Sequence, residues 1–104
     1  MSENYQNDGI SDYIHQPVDG ILDLHTFSPS EAGSAVKEYI RVCHEKGLTE
    51  VKIIHGKGKG ILRRTVHSIL EKHPLVSSYR LDTGFSGWGS TIAILVSAQS
   101  TLLS

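Results

Sequence analysis

Apolar and polar residues change their spacing several times along this chain, and each change marks an element. The first twenty residues are polar, rich in Asn, Asp, Ser and Gln, and follow neither the helical nor the strand period. Residues 1–17 therefore read as a flexible arm. From Gly20 the texture changes: Ile21, Leu22 and Leu24, interrupted by Asp23 and closed by His25, predict a short strand. Ser28-Pro29-Ser30-Glu31 is then a helix start, with Ser28 as N-cap, Pro29 as the first helical residue and Glu31 as the reciprocal partner of a capping box. Ala32, Ala35, Val36, Tyr39, Ile40 and Cys43 recur at helical spacing, and Gly47 is placed to stop the helix in a left-handed conformation.

Val51 to His55 predicts a second strand, followed at once by Gly56-Lys57-Gly58-Lys59-Gly60. Ile61, Leu62, Thr65, Val66, Ile69 and Leu70 form one stripe of a second helix that must end before Pro74. Val76 to Thr83 reads as a third strand with Ser77, Tyr79 and Leu81 on one face, and Thr91 to Val96 as a fourth, more deeply buried one. The seven residues between them, Gly84 to Ser90, are too many and too rich in glycine for a simple hairpin turn. The order β-α-β-α-β-β predicts an α/β two-layer sandwich, two main helices against a four-stranded mixed sheet, over residues 18–97, with a short tail at 98–104.

The chain's 104 residues are one domain's worth, long enough to fold without disulfide or metal staples. A single cysteine, Cys43, excludes an internal disulfide and fits a reducing compartment. No apolar run approaches the ~20 residues of a membrane span, and the N-terminal residues lack the basic start and apolar stretch of a secretory signal. A cytoplasmic protein with no membrane partner is the expectation. The formal net charge of −1 hides a segregation: residues 1–19 hold Glu3, Asp8, Asp12 and Asp19 and no base. In the rest, ten Lys and Arg stand against seven Asp and Glu, a net of +3, with every base between Lys37 and Arg80. That allows a phosphate-bearing ligand without demanding one.

Three segments carry candidate chemistry. A strand period of two puts Asp23 and His25 on one side, a carboxylate beside an imidazole, which is either a general acid/base pair or a satisfied strand end. The run His55 to Gly60 joins a strand to a helix; its glycines let backbone approach an anion, the helix N-terminus offers unpaired N–H groups, and Lys57, Lys59, Arg63 and Arg64 add charge. It is not a Walker loop, since Gly60 is followed by Ile61, and it does not have the dinucleotide-binding spacing. A glycine-permitted turn with solvated lysines is the plainer alternative. The third segment flanks the only tryptophan, Trp88, with Gly87 and Gly89; an exposed Trp stacks on a nucleobase, a buried one plugs the end of a sheet. His15, His44, His67 and His73 share no metal-ligand spacing.

Taken together, Leu22-Asp23-Leu24-His25, then His55-Gly56-Lys57-Gly58-Lys59-Gly60 followed by Leu62-Arg63, then Gly87-Trp88-Gly89-Ser90-Thr91 before an apolar strand, resemble the Smr (small MutS-related) domain over residues 18–97. Thr26 stands where that family usually has glycine, and Ser86 replaces the first residue of its third motif. The resemblance implies a fold similar to the C-terminal domain of a bacterial translation initiation factor, and a nucleic-acid role, often as a nicking DNA endonuclease or an endoribonuclease. By that likeness Asp23 and His25 are the catalytic candidates; His55, at the end of the adjacent predicted strand, is a third catalytic candidate as a second polar group in the same site. Gly56, Lys57, Gly58, Lys59, Gly60, Arg63, Arg64, Gly87, Trp88 and Gly89 become the phosphate- and nucleic-acid-facing residues. A metal is left open: one carboxylate with histidines suits Mg or Mn weakly. A non-catalytic module that binds DNA or RNA, and a protein-interaction domain, use the same chain without needing Asp23 and His25.

Overall fold

The computed structural model describes residues 18–58, 60–84 and 89–97. The expected arm over 1–17, the tail over 98–104, and Lys59, Gly87 and Trp88 lie outside the described residues. Four strands and two helices follow in the expected order: β1 Ile21–Asp23, α1 Pro29–Glu45, β2 Glu50–Ile54, α2 Ile61–Lys72, β3 Val76–Leu81 and β4 Ser90–Leu95. The helix start at Ser28 is as its residue types require. The Ser28 hydroxyl accepts from the Glu31 N–H, and the Glu31 carboxylate accepts from the Ser28 N–H, an arrangement worth about 1 kcal/mol to the helix. Gly47 takes φ of 84° just past its end.

The sheet order is β1-β2-β4-β3. β1 and β2 run parallel, while β4 is antiparallel to both β2 and β3, so the sheet is mixed. Each helix connects two parallel strands, β1 to β2 and β2 to β3, in the same direction across the sheet. Right-handed crossovers therefore lay both helices on one face. Leu22, Leu24, Val51, Ile53, Ala93 and Leu95 point to that face and meet Ala32, Ala35, Val36, Tyr39, Ile40 and Cys43 of α1 and Val66 and Leu70 of α2 in one buried cluster. Tyr39 is fully buried, with its hydroxyl accepting from the Gly20 N–H at 3.0 Å and donating to the Ile21 carbonyl at 3.1 Å. Burial pushes its pKa up to about 12; the phenol thus ties α1 to the entry of β1. Among the described residues no helix covers the opposite sheet face, which carries Lys52 and Arg80, both level with Ile92, with Lys52 3.4 Å from Asp82.

Two local expectations change. β1 ends at Asp23 rather than at His25. In β3, Ser77 does not share a face with Tyr79 and Leu81, because a register shift between Val76 and Ser78 breaks the alternation. Val76 and Tyr79 pack against the core instead, and Ser77 is exposed, its hydroxyl donating to the Ile94 carbonyl. No helix among the described residues is long and apolar enough to cross a membrane.

Candidate functional site

Because β1 and β2 are parallel, their C-terminal ends lie at one edge of the sheet, and β4, running the other way, begins there. Leu24 N–H donates to the Ile54 carbonyl at 2.8 Å, and the N–H groups of both His55 and Gly56 donate to the Gly89 carbonyl at 2.9 and 2.8 Å. His25, the start of the glycine loop and Gly89 therefore meet at the same edge. Side chains divide between the two faces. The alternation that buries Leu22 and Leu24 turns Asp23 to the helix-free face, whereas His55 follows Val51 and Ile53 to the helix face.

Asp23 and His25 come together through a turn, not through the strand period. One carboxylate oxygen, Oδ1 of Asp23, lies 3.0 Å from the His25 backbone N–H and 2.8 Å from His25 Nδ1. Burial works to raise the Asp23 pKa, but the two hydrogen bonds and the positive charge available to His25 prevail and hold it below the usual carboxylate value. The His25 side chain is 69% exposed. With Nδ1–H given to the carboxylate, neutral His25 keeps its lone pair on Nε2, the form in which imidazole accepts a proton.

The loop after β2 is built for close approach. Gly56 and Gly60 adopt φ of 85° and 83°, the left-handed region where a side chain costs energy. Lys57 and Gly58 are exposed. Gly60 is the N-cap of α2 and offers no side-chain hydrogen bond to the helix, so the first-turn N–H groups have no side-chain cap. The Arg63 guanidinium folds back over Gly60, where an added Cβ would lie 2.9 Å from one of its nitrogens. Arg64, exposed, donates its backbone N–H to the Gly60 carbonyl.

His55 is only 4% exposed, and its ring belongs to a buried polar chain that does not include Asp23 or His25. Its Nδ1 lies 3.0 Å from the Gly56 carbonyl, its Nε2 lies 2.8 Å from the Thr91 hydroxyl, and His67 Nε2 reaches the same hydroxyl at 2.7 Å. Beyond it the His67 ring packs on Tyr79 at 4.9 Å, and Tyr79 donates to Glu71. Burial, and secondarily the nearby Arg63 charge, lower the His55 pKa against the opposing hydrogen bond to Gly56; burial, then the charges of His55 and Arg63, lower that of His67. Sequence spacing assigns no role to His67 or Thr91 by itself. The signal that bears on His67 is its position four residues after Arg63 on α2, hence on the same helix face.

Among the described residues no three or more His, Cys, Asp and Glu side chains converge as a metal cage. Asp23 and His25 offer one carboxylate and one imidazole, a donor set that suits Mg or Mn weakly.

The profile of the Smr domain family matches residues 22–96, which include the Asp23–His25 pair, the glycine loop, His67 and Thr91. The chain belongs to the Smr domain family. Among curated proteins it is 39% identical over 79 residues to the endonuclease MutS2 of Clostridium perfringens (strain SM101 / Type A), covering 75% of this chain and 10% of that protein. It is 44% identical over 77 residues to the endonuclease MutS2 of Halothermothrix orenii, covering 73% and 10%. The chain thus spans about a tenth of the length of these relatives. Among solved structures, the Smr domain of Thermus thermophilus MutS2 superposes with a TM-score of 0.70 at 28% identity, covering 73% of this chain and 96% of that one. YdaL, a stand-alone small MutS-related protein from Escherichia coli, gives 0.69 at 27% identity, covering 84% and 74%.

Proposed function

We propose that this Smr domain binds the phosphate backbone of nucleic acid and hydrolyses a phosphodiester bond. The observation that carries the reading is the 2.8 Å bond between His25 Nδ1 and Asp23 Oδ1 at the sheet edge where the glycine loop opens. Hydrolysis needs a base for the attacking oxygen and donors for the charge that builds on the phosphate. His25 Nε2 takes the proton of the attacking water or hydroxyl as its oxygen bonds to phosphorus. Asp23 holds the ring and stabilises the imidazolium, and the proton then passes to the leaving oxygen as the phosphorus–oxygen bond breaks. Lys57, Arg63 and the uncapped N–H groups of α2 hold the phosphate oxygens; Lys59 adds charge in the same loop. The endonuclease names of the MutS2 relatives agree with this chemistry.

The test is a cleavage assay on labelled single-stranded, duplex and branched DNA and RNA, each with Mg, Mn or EDTA. Cleavage of at least one substrate supports the reading. Binding without cleavage on all of them replaces it with a non-catalytic recognition module, and absence of both points to a protein-contact domain.

A further inference from the structure

The buried chain from His67 to Gly56 can be read proton by proton. A carbonyl oxygen only accepts, so the bond to the Gly56 carbonyl requires a proton on His55 Nδ1. Burial disfavours the charged ring, and in the neutral ring His55 Nε2 is an acceptor. Thr91 must then donate its one hydroxyl proton to His55, and its oxygen accepts from His67 Nε2–H. The order of donation is fixed from α2 through β4 to the first residue of the glycine loop.

In a trans peptide the C=O and the following N–H point in opposite directions, and none of the described peptide bonds is cis. With the Gly56 carbonyl turned inward to His55, the Lys57 N–H is turned outward, on an exposed residue. A flip of that one peptide, easy at a glycine, would put a carbonyl oxygen where an anion is to be received. We propose that His67 and Thr91 are positioning residues for the glycine loop: through His55 they hold the Gly56–Lys57 peptide with its N–H facing the phosphate. The inference rests on the reading that this loop contacts phosphate, and it assigns the His55 ring to shaping the loop.

The test separates geometry from charge. Binding of a fluorescein-labelled single-stranded oligonucleotide is followed by anisotropy across a salt series, with inorganic phosphate as competitor, for Thr91→Val, Thr91→Ser, His67→Leu, His67→Gln and Lys57→Ala. Thr91→Val and His67→Leu break the chain without removing a base from the loop. Affinity is expected to fall about tenfold, the worth of one hydrogen bond to an anion, with the salt slope unchanged. Thr91→Ser and His67→Gln keep a donor at each point and are expected to stay near the unsubstituted affinity, which loss of packing alone would not produce. If Thr91→Val does not fold, the His67 pair carries the comparison. Nitrogen-15 shifts of the imidazoles should show His55 protonated at Nδ1 and His67 at Nε2. The opposite tautomer of His55, or unchanged affinity in Thr91→Val and His67→Leu while Lys57→Ala loses binding, overturns the inference and leaves the reading of the loop intact. An unchanged affinity and salt slope in Lys57→Ala overturns that reading, and the inference with it.

Discussion

Asp23 Oδ1 receives two hydrogen bonds from His25, one from its backbone N–H and one from its ring. The first closes a turn as β1 ends and the second orients the imidazole, so one carboxylate oxygen sets both the path of the chain and the direction of the ring. Three residues of sequence thus bring a carboxylate and an oriented imidazole together on an exposed edge.

Charge on the loop is expected to govern affinity rather than sequence choice. Every phosphate that the protein no longer neutralises lowers the slope of log affinity against log salt by roughly 0.7 for a single strand and 0.9 for a duplex. Replacing Lys57 and Arg63 together by Ala should flatten that slope by about one to two across unrelated sequences. A slope equal to that of the unsubstituted domain would move the binding face to the helix-free side of the sheet, where Lys52 and Arg80 lie.

Gly56→Ala tests the loop conformation separately from its charge. An added Cβ there meets nothing within 4 Å, yet φ is +85°, so its cost is backbone strain alone, about 1–2 kcal/mol. Urea unfolding should show a decrease in stability of that size. An unchanged stability would mean that the left-handed conformation at Gly56 is not required.

Stability should depend on pH through His55, which is buried, and His67, which is partly buried. Both His55 and His67 have folded-state pKa values below the ordinary value of about 6.5, so the unfolded chain binds more protons in the interval between. Their stabilising contribution is complete above pH ~6.5 and is lost as pH falls through the folded values. The urea midpoint should be flat from pH 8 to 7 and decline below it, and His67→Gln should make that decline shallower. A midpoint that rises on acidification would contradict the neutral, hydrogen-bonded chain.

How much of this is legible in the sequence depends on how local each interaction is. The Ser28–Glu31 capping box, the stop at Gly47 and the parallel pairing of the first two strands follow from neighbouring residues and crossover handedness, and the structure has them all. A strand period predicts the Asp23–His25 pairing, but the strand ends at Asp23 and a turn brings the two side chains together instead. The change of face at Ser77 comes from a bulge that apolar spacing does not encode. The His55–Thr91–His67 chain is out of reach for another reason: Thr91 is 36 residues from His55 and 24 from His67, and the pairing of β2 with β4 together with the packing of α2 on the sheet brings the three together.

Catalysis by the Asp23–His25 pair is tested by single-turnover cleavage, at saturating protein, of a labelled substrate by the unsubstituted domain, Asp23→Asn and His25→Ala, each purified identically and checked for folding by thermal unfolding. Removing a general acid/base group typically costs about a hundredfold or more in rate, and neither substitution alters the glycine loop proposed to hold phosphate. A fall of that size is expected in both variants, with oligonucleotide affinity little changed. Cleavage by both folded variants at the rate of the unsubstituted domain would contradict catalysis by this pair.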